Sequence, residues 1–186
     1  MKPSSAKKTL TSAYAQGTAF GDLIETFEDV TLAPNAVIRT SWLAALIKRI
    51  NTQPSLYLKA GAIHGCVLSH RDKPLLYLEG VGRYNAVDKT WGYMFLNNVT
   101  PEDKIFYATG RLTSEMVIKC VNMRILSLVS GSGFTAWGLD LAGQGNLTLI
   151  GRARGRRFFA LSGHDHIICD PVATARDESP ACKGTQ

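Results

Sequence analysis

The stretch VGRYNAVDK, Val81–Lys89, is echoed 28 residues later by TGRLTSEMVIK, Thr109–Lys119. In each, a Gly-Arg pair (Gly82–Arg83, Gly110–Arg111) stands between an apolar run and a second run with helical spacing. That pattern reads as strand, tight turn, helix. Glycine lets the backbone turn sharply or approach a ligand. Arginine offers a planar fork that fits phosphate or carboxylate. The helix N-terminus behind it adds N–H groups and the positive end of a dipole. A single such turn has a plain structural explanation, with the arginine paired to an acid such as Asp88 or Glu115. Several turns at one end of a sheet describe an anion-binding groove.

The surrounding pattern supplies such a sheet. KPLLYLEGVG, DKIFYATG, RILSLVSGSG and NLTLIGRARG read as strands, and RFFALSG as a last short one. AVDKTWGYMFLNN, TSEMVIKCVNM and FTAWGLDLAGQG read as helices between them. The first offers Ala86, Trp91, Met94 and Phe95 for an apolar face, and Thr113 or Ser114 caps the second. Upstream, TSWLAALIKRI is a helix with Ser41 as N-cap and Trp42, Leu43, Leu46, Ile47 and Ile50 at helical spacing. PSLYLKAGAIHGCVLS reads as strand, glycine-softened turn, strand. The strand–helix alternation from 75 to 151 predicts an α/β fold on a mostly parallel or mixed sheet, with ligands beyond the carboxyl ends of its strands. Residues 1–18 read as a short flexible N-terminal arm, 19–172 as the α/β domain and 173–186 as a loose tail.

The chain has 186 residues, 45% of them hydrophobic, and a net charge of +6. GRARGRR, Gly151–Arg157, holds four of the arginines in seven residues, which points to an anionic partner such as phosphate or nucleic acid. No apolar run approaches the ~18–20 residues that span a bilayer. MKPSSAKKTL lacks the apolar segment of a signal peptide, so the expected location is cytoplasmic. The four cysteines, Cys66, Cys120, Cys169 and Cys182, form no C-x-x-C pair and no disulfide framework. Cys66 and Cys120 sit in apolar runs and read as small core residues.

Other constellations compete less well. GSGFTA, Gly131–Ala136, fits the dinucleotide fingerprint G-x-G-x-x-G/A, but the acid expected about 20 positions on is missing. Arg152 and Arg154 stand there instead, which would suit the 2′-phosphate of an NADP-type ligand. GHDHIIC puts His164 and His166 on one face of a possible strand near Cys169, with no fourth zinc ligand. His64 lies in a glycine-rich turn at the expected ligand side, either as a buried histidine or as a polar contact. The H-x-E…P-C-x-x-C signature of zinc deaminases is absent, as are a Walker A motif and a G-x-S-x-G elbow.

AGAIHGC, EGVGRYNAVDK, ATGRLTSEMVIK and LIGRARGRRF, in this order, resemble the formate dehydrogenase accessory protein family, FdhD. Its members read T-G-G-V-H-A-A, E-D-V-G-R-H-N-A-x-D-K, S-G-R-x-S-x-E-M and G-x-x-R-G-x-R, a match running from about residue 37 to 168. The resemblance implies a cytidine-deaminase-like three-layer α/β fold without the deaminase zinc and with no other protein-bound metal. It implies a homodimer that binds the molybdenum bis-guanine-dinucleotide cofactor and passes it sulfur from a cysteine desulfurase, for use by formate dehydrogenase. Nucleic acid and membrane are not among the implied partners. The cofactor-binding residues it implies are His64, Arg83, Asn85, Gly110, Arg111, Ser114, Glu115, Arg152, Ala153, Arg154, Gly155, Arg156 and Arg157, while Asp88 and Lys89 brace the first helix.

The chain departs from that pattern in places. The family's persulfide-bearing C-x-x-C falls on SAYAQG, where Ala13 and Gln16 occupy the cysteine positions, and neither can form a persulfide. Gly80 stands for an Asp, Tyr84 for a His, and SGSGFT (Ser130–Thr135) for S-R-S-A-P-T, leaving Gly131 where the family has Arg. Two mechanisms follow. Either the carrier thiol lies elsewhere, at Cys66 or Cys182, or the chain binds cofactor without sulfur chemistry. An NADP-binding enzyme built on GSGFTA is the third reading.

Overall fold

The computed structural model describes residues 26–27, 30, 32, 37–170 and 183–184. A seven-stranded mixed sheet runs in the order β3-β2-β4-β5-β6-β7-β9. Its strands are β2 (His64–His70), β3 (Lys73–Gly80), β4 (Lys104–Ala108), β5 (Ser127–Ser130), β6 (Thr148–Arg154), β7 (Arg157–Ser162) and β9 (Lys183–Gly184). A separate parallel pair joins β1 (Ile38–Arg39) to β8 (Ile167–Ile168). The helices are α1 (Thr40–Thr52), α2 (Leu56–Ala60), α3 (Arg83–Leu96), α4 (Ser114–Asn122) and α5 (Ala136–Gln144).

Strand alternation divides the core into two layers, as the period-2 pleat requires. Cys66, Leu68, Phe106, Ala108, Leu128 and Leu149 face α3, α4 and α5, joined by Val87, Met116 and Leu141. Val67, Ile105, Tyr107, Val129 and Ile150 face the other way, onto Leu43, Leu46, Ile47 and Ile50 of α1. The result is the expected three-layer α/β arrangement. Helix α4 is central: Ser114 to Val121 are all buried.

The sheet is mixed rather than mostly parallel. β4–β5 and β5–β6 are parallel, but β2 is antiparallel to both β3 and β4, and β7 to β6. The consequence for the turns is unchanged. β3, β4, β5 and β6 share one direction, so their carboxyl ends meet at one end of the sheet. The starts of β2 and β7 meet there too.

Four local expectations are corrected. PSLYLK forms the short helix α2, not a strand. Ser55 Oγ accepts from Leu58 N at 3.2 Å, and the Glu79 carboxylate accepts from Leu56 N and Tyr57 N at 3.1 and 2.7 Å. Gly61, at φ 66°, then stops it in the left-handed region. His64 consequently opens β2 instead of lying in a turn. On α3, Phe95 is 79% exposed, and Val87 and Thr90 join Ala86 and Met94 on the buried face. Within the expected tail, Lys183–Gly184 pairs with β7. The arm at 1–18 and Cys182 lie outside the described residues.

The cap of α1 is also not Ser41, which stands inside the helix behind Arg39. Asp170, from the other end of the domain, does that work. Its carboxylate accepts from Ser41 N at 2.8 Å, Ser41 Oγ at 2.7 Å and Thr40 Oγ1 at 2.9 Å. An acid at a helix N-terminus satisfies N–H groups that have no partner within the helix. Partial burial pushes the Asp170 carboxyl up. The hydrogen bonds from Ser41 and Thr40, and the Arg39 charge, outweigh it and hold the group below its ordinary value of 3.8.

Asp170→Ala is therefore expected to lose about 1–2 kcal/mol of stability at neutral pH, read by denaturant unfolding. A depressed carboxylate stabilises above its unfolded pKa and loses that contribution as pH falls through the folded one. The gap between wild type and variant should close well below pH 3.8. Equal stability at neutral pH would contradict this role.

Candidate functional site

The row of turns at the carboxyl ends of β3, β4, β5 and β6 builds the site. Gly82 is the N-cap of α3, and Arg83 its first residue. Gly110 follows β4. A Cβ at Gly110 would stand 3.2 Å from Arg83 Cβ and 3.5 Å from His64 Nδ1. The glycine of the second Gly-Arg turn thus seats the arginine of the first, and His64 closes on the same spot from the start of β2. The repeat in the sequence is an interlock in space.

Tyr84 adds a second tie. Its hydroxyl lies 3.0 Å from Thr113 Oγ1, at the N-cap of α4. Its ring has the Arg83 guanidinium at 5.6 Å and Lys119 Nζ at 5.9 Å. Thr113 is thus in the expected cap position, but its hydroxyl joins Tyr84. Lys89 Nζ donates to the Glu79 carbonyl at 2.9 Å, bracing α3 against β3.

The carboxylates have other partners. Lys119 Nζ meets Asp88 Oδ1 at 2.5 Å and Glu115 Oε1 at 3.7 Å, so the two acids that could have neutralised the arginines converge on a buried lysine instead. Among the described residues, no carboxylate lies within ion-pair distance of Arg83, Arg111, Arg152, Arg154, Arg156 or Arg157. Away from these turns, Arg39 and Arg49 each have one, while Arg71 and Arg124 have none among the described residues.

The third basic turn is shaped by a β-bulge. Gly151 pairs with Phe159 and Arg154 with Arg157, so Arg152 and Ala153 oppose Phe158 alone. Arg152 sits at φ 50°, costly for a side chain of its size, and its N–H donates to the Ser132 carbonyl at 2.9 Å. A cleft of about 670 Å³ opens here, lined by Gly131, Ser132, Gly133, Arg152, Arg154, Arg157, Phe158 and Phe159. Gly155 is the hairpin turn, at φ 60°, and Arg156 is exposed on it.

The sequence-predicted residues thus separate into groups. Arg152, Arg154 and Arg157 line the cleft. His64, Arg83 and Gly110 form the interlock at the same sheet end, with Asn85 and Arg111 exposed beside them. Ser114 and Glu115 are buried in the first turn of α4, and Ala153 in the α1-side core. Phe158 and Phe159 escaped the sequence reading, which singled out the loop carrying Ser132 as a dinucleotide fingerprint and not as part of this cleft. That loop is tied to the second turn by Leu112 N→Gly133 O at 2.9 Å and Thr135 N→Leu112 O at 3.0 Å. His164 and His166 lie in a 3₁₀ turn rather than on a strand, one bonded to Ala160 O and the other to Thr148 Oγ1. Among the described residues, no group of three or more His, Cys, Asp and Glu could hold a metal ion.

Burial first, and then the Arg83 charge, lower the His64 pKa below its ordinary 6.5. Its Nδ1 is buried and has no hydrogen-bond partner among the described residues. An NMR titration should give a His64 midpoint below 6.5, rising part of the way back in Arg83→Ala because burial persists. A midpoint unmoved by that substitution would contradict the interlock.

Several known proteins resemble this chain. The family model of the FdhD/NarQ family matches residues 1–168. Similar relatives are the sulfur carrier protein FdhD of Bacillus pumilus, 30% identical over 144 residues, and that of Geobacillus kaustophilus, 28% identical over 138. The matches cover 75% and 74% of this chain and 55% and 52% of those proteins, so the chain spans about half the length of the curated relatives it matches. A crystal structure assigned to a formate dehydrogenase accessory protein from Desulfotalea psychrophila superposes with a TM-score of 0.70 at 31% identity, covering 77% of this chain and 62% of that one. The chain belongs to the FdhD/NarQ family.

Proposed function

We propose that this chain binds the guanine-dinucleotide form of the molybdenum cofactor at the arginine-lined end of its sheet. It holds the cofactor as cargo for a formate dehydrogenase. The observation that carries the reading is the set of arginines without a carboxylate partner among the described residues. Guanidinium groups match the geometry of phosphate oxygens, and the cargo's diphosphates supply the missing negative charge. The unpartnered His64 Nδ1 beside Arg83 offers a further polar contact. The names of the relatives, sulfur carrier and formate dehydrogenase accessory protein, support the choice of cargo and client. A homodimer working in the cytoplasm fits the same reading; among the described residues, no helix is long and apolar enough to cross a membrane.

Two of the thiols, Cys66 and Cys120, favour binding without sulfur transfer by this chain, whereas Cys169 is exposed. Ala13 and Gln16, at the family's cysteine positions, lie outside the described residues, and neither is a thiol. Cys66 and Cys120 are buried. Burial, and then the Asp88 charge, pushes the Cys66 thiol up to about 12; burial pushes Cys120 up as well. Sulfur exchange runs through a thiolate, and these two remain protonated at neutral pH. The relatives' name favours the other reading, in which a cysteine desulfurase loads sulfur onto a thiol such as Cys182.

Titration calorimetry with GDP tests the binding. GDP should bind in a salt-dependent way, weaken on the order of tenfold in Arg154→Ala, and be unaffected by Arg49→Ala, whose arginine already pairs with Asp72. Binding of NADPH but not GDP would overturn the reading in favour of a dinucleotide enzyme. Incubation with desulfurase and ³⁵S-cysteine should leave the chain unlabelled; a stable persulfide label would reinstate sulfur transfer.

A further inference from the structure

The loop after β5 touches two of the basic turns, and one buried side chain links those contacts. Ser130 is the last residue of β5 and is fully buried. Its parallel pairing with Ala108 sets the ends of β4 and β5 side by side, so Gly110, two residues beyond Ala108, comes within reach of the serine. Ser130 Oγ donates to the Gly110 carbonyl at 2.7 Å and accepts from Ser132 N at 3.0 Å. The Ser132 carbonyl accepts in turn from Arg152 N at 2.9 Å. A chain of hydrogen bonds therefore runs from Arg152 through Ser132 and Ser130 to Gly110, the glycine that seats Arg83.

A hydroxyl suits this place. It has one donor and two acceptor sites, and here a single oxygen serves a carbonyl from one turn and an N–H from the loop that holds the other. Donating and accepting at once strengthens both bonds, because each polarises the other in a low-dielectric interior. Both ends of the chain need holding. Arg152 is in the left-handed region, at φ 50°, a conformation that persists only where the surroundings fix it. Arg83 Cβ and His64 Nδ1 crowd the space beside Gly110, so a shift of its peptide moves Arg83. Ser130 itself has no exposed surface with which to touch a ligand. Any effect it has on binding passes through the residues it holds.

We propose that Ser130 is a positioning residue for the anion-binding end of the sheet. Its hydroxyl locks the turn that seats Arg83 to the turn that carries Arg152 and Arg154, so that the arginines of both turns are set in one arrangement before an anion arrives. This inference rests on the anion-binding reading above and adds to it a residue that makes no ligand contact.

Calorimetry with inorganic pyrophosphate tests the role. Ser130→Ala should weaken pyrophosphate on the order of tenfold. Ser69→Ala is the matched control: it removes an equally buried hydroxyl, bonded to the Ile105 carbonyl at the opposite end of the sheet, and should leave the affinity unchanged. Because Ser130 acts through the arginines, its effect should shrink when Arg83→Ala or Arg152→Ala is already present. The backbone bonds from Leu112 N to Gly133 O and from Thr135 N to Leu112 O do not involve its side chain, so the loop should keep its outline. If Ser130→Ala does not fold, Ser130→Cys keeps the volume with only a weak donor and acceptor and should weaken pyrophosphate in the same way. Unchanged affinity in the folded Ser130 variant, an equal loss in Ser69→Ala, or losses that simply multiply with those of both arginines would overturn the positioning role alone. Failure of pyrophosphate to bind the wild type would overturn the anion-binding reading and this role with it.

Discussion

The gathering of arginines at one end of the sheet is the constraint around which this domain is arranged. Strand polarity brings the ends of β3, β4, β5 and β6 together, and Arg83, Arg111, Arg152 and Arg154 lie at or just beyond those ends. At physiological ionic strength exposed charges are screened beyond roughly 8 Å, so closer neighbours still repel. A chain selected only for stability would place acids among them. Here Asp88 and Glu115 converge on Lys119, and Glu79 is spent on the N–H groups of α2. The scaffold holds the arginines in place by other means. Gly110 seats Arg83, the Ser132 carbonyl anchors the left-handed Arg152, and Tyr84 links the first helix to Thr113.

That pattern was legible in the sequence to the extent that local rules govern it. The strands and the helices behind the Gly-Arg turns follow from apolar periodicity, and their shared end follows from strand order. What local rules could not reach was set by distant partners. The cap of α1 is Asp170, 129 positions from Ser41. Helix α2 forms in a strand-like run because Glu79, on β3, supplies its acceptor. Phe95 lies at a plausible helical spacing, yet α3 turns Val87 and Thr90 to the sheet instead.

The groove and the thiols point in different directions. Family membership, and arginines that have no carboxylate partner among the described residues, favour retention of an anionic cargo site. The residues at the expected sulfur-carrying positions, and the depth at which Cys66 and Cys120 are buried, favour its use without thiol chemistry on this chain.

The most direct measurement is a crystal structure of the chain soaked with GDP. The account predicts density for the diphosphate against Arg152, Arg154 and Arg157, at the sheet end that also carries Arg83 and Arg111. Well-ordered nucleotide bound elsewhere on the molecule, with these arginines untouched, would contradict it.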